Sequence, residues 1–68
     1  MFKIEFQNEK DYLVALRKIN GITLQDVAKA IGLTATMISY FENDYFLIND
    51  EKYKLYKEYI LKKSGVMK

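Results

Sequence analysis

The chain has 68 residues, with 11 Lys/Arg against 9 Asp/Glu and a formal net charge of +2. It contains no Cys, His or Pro, which excludes disulfides, thiolate zinc sites and imidazole chemistry, and suits a chain made mostly of helices. A chain this short buries only about 60% of its unfolded surface, so one small core is the limit, and half of the residues are apolar enough to fill it.

Residues 1–7, MFKIEFQ, alternate apolar and polar side chains, the period of a half-buried strand. A lone strand leaves its backbone unsatisfied and needs a partner. Three arrangements are open for this strand-like arm: pairing with the apolar run at 45–48, pairing with the same arm of a second molecule, or docking of Phe2 and Phe6 on the core. A helix over 9–20 follows, capped by Asn8, with Glu9 and Asp11 in its first turn. Tyr12, Leu13, Leu16 and Ile19 are its expected buried face, and Asn20-Gly21 its stop signal. Arg17 and Lys18 either complement the helix end or contact a phosphate.

Residues 22–43, ITLQDVAKAIGLTATMISYFEN, read as two short helices meeting at a tight turn, over 24–31 and 35–43. Thr23 caps the first, Asp26 can reach back to the cap, and Ile22 with Val27 forms a hydrophobic staple. Leu24, Val27, Ala28 and Ile31 recur at i, i+3, i+4 and i+7, one apolar face, and Gly32 ends the helix where a left-handed residue is needed. Leu33 and Ile38 make a second staple around the cap Thr34. Ile38 and Phe41, with Met37, form the inner side of the second helix. Thr36, Ser39, Tyr40 and Asn43 lie on its outer face, which holds uncharged hydrogen-bonding groups where a plain solvated face would carry Lys and Glu.

Tyr45, Phe46, Leu47 and Ile48 are too apolar for a solvated loop, so some must be buried or form a partner surface. Asn49 caps a last helix over 50–63, with Asp50 and Glu51 in its first turn. Tyr53, Tyr56 and Ile60, flanked by Leu55 and Tyr59, wrap more than one side of that helix. One face closes the core; the other is either further core or a subunit contact. Charge is uneven: residues 1–50 hold five Lys/Arg and seven Asp/Glu, and residues 51–68 six Lys and two Glu. The basic end suits DNA backbone contact or simply complements the helix dipole. No apolar run approaches the ~20 residues that span a membrane, and no signal-peptide pattern precedes the domain. A cytoplasmic location is therefore expected. No nucleophile–base pair, glycine-rich phosphate loop or clustered carboxylates stand in the sequence, so no enzyme, cofactor or metal site is expected.

The 22–43 stretch resembles the helix-turn-helix of the lambda-repressor-like (Cro-type, Xre) DNA-binding family. Ala28 stands where that motif has a small residue at the helix crossing. Gly32 matches the turn glycine four positions later, and Ile38 the buried β-branched residue of the recognition helix. ISYFEN resembles the family's frequent ending of an aliphatic, two variable residues, an aromatic and Glu-Asn. The resemblance covers roughly residues 9–62 and implies a mainly α, compact four-helix domain, here with the short N-terminal strand added. Two departures stand out. Asp44 occupies the position of a usual Gly, and 35–43 contain no Arg, Lys or Gln, the side chains that make most bidentate base contacts.

The resemblance implies a small sequence-specific DNA-binding transcriptional regulator. It would be a Cro-like repressor of a phage or mobile element, acting as a homodimer on an inverted-repeat operator in double-stranded DNA. Ala35, Thr36, Ser39 and Tyr40 are the expected base contacts, and Gln25, Thr34 and Asn43 the expected phosphate contacts. An alternative is a protein-binding module, an antirepressor or accessory factor, meeting its partner through the 45–48 loop or the last helix. A third reading is an architectural DNA binder that uses the Lys-rich helix without sequence preference.

Overall fold

The computed structural model describes residues 9–66. Among them the chain forms four helices, α1 (Glu9–Ile19), α2 (Leu24–Ile31), α3 (Ala35–Glu42) and α4 (Asp50–Lys63), the mainly α architecture expected from the sequence. The strand-like arm at 1–7, the Asn8 cap and the last two residues of the tail lie outside the described residues.

Local chemistry sets the helix boundaries. The Thr23 hydroxyl accepts from the Asp26 amide at 3.0 Å, and the Thr23 amide donates to the Asp26 carboxylate at 3.3 Å, a reciprocal capping box. Thr34 accepts from the Met37 amide at 3.1 Å, and the Asn49 side chain from the Lys52 amide at 2.8 Å. Each cap satisfies a first-turn N–H that has no partner within its own helix.

α2 packs on α3 and α4, and α1 packs across α4 and α3. Leu13 of α1, Val27, Ala28 and Ile31 of α2, Ile38 and Phe41 of α3, and Tyr56 and Ile60 of α4 are buried, joined by Ile22 from the turn after α1. The Phe41 ring meets Tyr56 edge-on at 5.2 Å between centroids.

Two residues expected on the buried face of α1 are exposed, Tyr12 by 36% and Ile19 by 79%, whereas Ile22 is buried. Ile19 is the last residue of α1, and the chain reverses at Asn20-Gly21 with Gly21 at φ +68. The apolar side chain entering the core beyond this turn is therefore Ile22.

Arg17, read as helix-end complement or phosphate contact, lies in the last turn of α1 but is buried, with its guanidinium turned onto other elements. Its Nε and Nη2 donate to the two carboxylate oxygens of Glu42 at 2.7 and 2.8 Å, and its Nη1 to the Ile22 carbonyl at 2.9 Å. The Tyr56 hydroxyl donates to Glu42 at 2.9 Å. This clasp ties the end of α3 to α1 and α4. Burial, and then the charge of Glu42, push the Tyr56 phenol well above the ordinary tyrosine range.

The 45–48 run forms no strand. It is an irregular segment in which Phe46 and Ile48 pack against the core while Tyr45 and Leu47 point outward. Two lysines of the basic last helix also have internal roles. Lys52 Nζ donates to the Ile31 carbonyl at the end of α2, at 2.7 Å, and Lys57 pairs with Glu9 at 2.7 Å.

Candidate nucleic-acid interface

The turn between α2 and α3 is built by Gly32. At φ +79, ψ 30 it sits in the left-handed region, where a Cβ would be strained. The amides of Gly32 and Leu33 both donate to the Ala28 carbonyl, at 2.9 and 3.0 Å, closing the end of α2. Ala28 is buried, and Ile38 is fully buried where the inner face of α3 meets the core. Leu33, half-buried before the Thr34 cap, packs on the same core and sets the entry of α3.

With Ile38 and Phe41 turned inward, α3 presents Thr36, Tyr40 and the adjoining Asn43 to solvent. Ala35 and Ser39 are half-buried at the edge of the same surface. Thr34 is exposed at the N-terminal end, where its hydroxyl is committed to the Met37 amide. Gln25 is exposed near the start of α2. Asn43 is folded back, one amide hydrogen donating to the Ser39 carbonyl at 2.8 Å, which leaves the other for a ligand. Thr34, Ala35, Thr36, Ser39, Tyr40 and Asn43 thus belong to one helix surface, and Gln25 comes from the neighbouring helix.

The electrostatics of this surface are unusual for a DNA reader. No Lys or Arg lies between Lys29 and Lys52, while Glu42, Asp44, Asp50 and Glu51 do. Two of the four acids are compensated, Glu42 by Arg17 and Asp44 by Lys10. Asp44 adopts φ +68, the left-handed conformation that glycine would adopt without strain. Lys10 of α1, which pairs with the Asp44 carboxylate, also donates to the Phe41 carbonyl at 3.3 Å. Sequence reasoning missed this brace because its partners lie 34 residues apart. It also missed the ring of Tyr45, which stands edge-on to Tyr40 at 6.3 Å and 77°.

A capped helix, a left-handed glycine turn and a second helix with an apolar inner and polar outer face define a helix-turn-helix module. A family model described as helix-turn-helix matches residues 13–56. The chain belongs to this lambda-repressor-like (Cro-type, Xre-like) helix-turn-helix family, whose members are DNA-binding transcription regulators. Comparison with curated proteins and with solved structures gave no match. Among the described residues, no helix is long and apolar enough to cross a membrane.

Proposed function

We propose that the chain is a sequence-specific transcriptional regulator of Cro-like repressor type, acting as a homodimer on an inverted-repeat operator. The observation that carries this reading is the outer face of α3. It is uncharged and hydrogen-bonding, and it is held on a core-anchored helix by the Arg17–Glu42–Tyr56 clasp. In this reading the N-terminal end of α3 enters the major groove. Ala35, the Thr36 methyl and the Tyr40 ring meet thymine methyls, while the hydroxyls of Thr36, Ser39 and Tyr40 bond to base edges. Gln25, Thr34 and Asn43 contact phosphates, assisted by the first-turn amides of α3. One such helix reads few bases, so two copies on half-sites about 10 bp apart supply the remaining specificity.

Selection from a random double-stranded DNA library at physiological salt tests this. The expected result is enrichment of an inverted repeat, with a complex whose sedimentation gives two protein chains per site. An unenriched pool overturns the reading.

One observation favours a second reading. Residues 35–48, α3 and the following loop, contribute no Lys or Arg of their own, and Tyr45 and Leu47 are exposed by 80% and 87%. Such an apolar, acid-flanked surface suits a protein partner, as in an antirepressor or accessory factor. In that case Thr36→Ala with Ser39→Ala abolishes the protein contact and leaves DNA affinity unchanged.

A further inference from the structure

Tyr45 is a large aromatic residue that contributes little to the core. The residue is 80% exposed, yet its backbone is tied to the end of α3: the Tyr45 amide donates to the Tyr40 carbonyl at 2.8 Å. The preceding left-handed turn at Asp44 is braced by Lys10, which bonds both the Asp44 carboxylate and the Phe41 carbonyl. A fixed turn thus presents the Tyr45 ring against the ring of Tyr40, edge-on at 6.3 Å. Tyr40 is itself 53% exposed, on the outer face of α3. An exposed tyrosine on a helix samples several staggered side-chain rotamers. An edge-to-face contact favours one of them by roughly two- to tenfold.

We infer that Tyr45 is a positioning residue that holds the Tyr40 ring in place, so that the pair selects thymine through its 5-methyl group. The inference rests on the proposed reading of DNA by α3. The chemistry of the surface narrows what is read. Residues 34–43 carry no Arg, Lys or Gln, so bidentate contacts to guanine, or to adenine through Gln, are unavailable from those side chains. Asn43, the remaining carboxamide there, is folded onto the Ser39 carbonyl. A paired aromatic surface instead offers dispersion contact and dehydration, and the thymine methyl is the apolar group that the major groove displays.

The experiment uses the full chain and the site recovered by selection, with each thymine replaced in turn by deoxyuridine, which lacks only the methyl. For the wild type, a single replacement at one position of a half-site should weaken binding by about three- to fivefold, the effect of one methyl leaving an apolar contact. Tyr40→Ala and Tyr45→Ala should each be insensitive to that replacement, while Tyr45→Phe, which keeps the ring, should retain the wild-type sensitivity. In the DNA-free protein, Tyr45→Ala should keep cooperative unfolding with Tm lowered by only a few degrees, the loss of one ring contact, but average the Tyr40 χ1 couplings in NMR spectra.

A wild type insensitive to every deoxyuridine replacement overturns the inference. So does a Tyr45→Ala variant that keeps the methyl sensitivity and the Tyr40 rotamer. Failure of the DNA reading itself is visible earlier, as a wild type that selects no site, and it removes the inference too.

Discussion

Glu42→Gln keeps the shape of the clasp and removes one charge, leaving the Arg17 guanidinium buried opposite a neutral amide. The side chains of Arg17 and Glu42 are 9% and 6% exposed, so solvent screening does not reduce their interaction to the small value of a surface ion pair. Breaking a buried pair by removing one partner costs about 3–5 kcal/mol. A folded chain of this length has roughly 3–10 kcal/mol of stability in total. Glu42→Gln should therefore lose a large share of it, read as a fall in the urea midpoint by circular dichroism at 222 nm. Tyr56→Phe leaves the ion pair intact and loses one hydrogen bond to a charged group, so it should cost about 1.5–3 kcal/mol. The double variant Arg17→Met/Glu42→Leu should be more stable than Glu42→Gln, because it leaves no uncompensated charge in the core. A Glu42→Gln cost under about 1 kcal/mol would place the pair in the range of surface salt bridges and refute the reasoning.

Three further outcomes are expected. Gly32→Ala should cost about 1–2 kcal/mol from the left-handed backbone, and its Cβ would lie 3.1 Å from Lys52 Nζ, disturbing that lysine's bond to the Ile31 carbonyl; thermal unfolding reads the loss. Thr23→Ala and Thr34→Ala should each cost about 1 kcal/mol as lost caps, but in band-shift titrations Thr34→Ala alone should weaken DNA binding, equally for all sequences. The Tyr56 phenol binds its proton more tightly folded than unfolded, so its contribution to stability is complete below the ordinary tyrosine value of 10.0 and is lost as pH rises above it. The slope is about 1.4 kcal/mol per pH unit for that group, and urea midpoints between pH 9 and 11.5 should show it falling in Tyr56→Phe.

The helix-turn-helix was legible because its signals are local. The Thr23 and Thr34 caps and Gly32 each act within a few residues, and the structure reproduces each, while Ile22, Val27, Leu33 and Ile38 all join or pack against the core. Ile19 was misread because helical spacing does not register where a helix ends. One residue past the last helical position, the turn at Asn20-Gly21 redirects the chain and gives the inward place to Ile22. Arg17 and Glu42 stand 25 residues apart, and each has an ordinary local explanation, as a helix-end cation and a motif residue. Their pairing exists only in the packed fold. The 45–48 run announced burial by its composition, but four consecutive hydrophobes do not say which are buried; the irregular backbone turns Phe46 and Ile48 inward and leaves Tyr45 beside Tyr40. The absence of Lys and Arg from residues 30–51 was plain from the sequence, whereas the approach of Arg17 to Glu42 and of Lys10 to Asp44 was not.

The central claim is that the outer face of α3 reads bases. Its most direct test is parallel library selection with the wild type and with Thr36→Ala/Ser39→Ala, whose substituted side chains lie outside the fully buried core. The account predicts that both proteins enrich an inverted repeat of the same spacing, with the preferred bases changed at the positions facing α3. An identical consensus from the two proteins would contradict it.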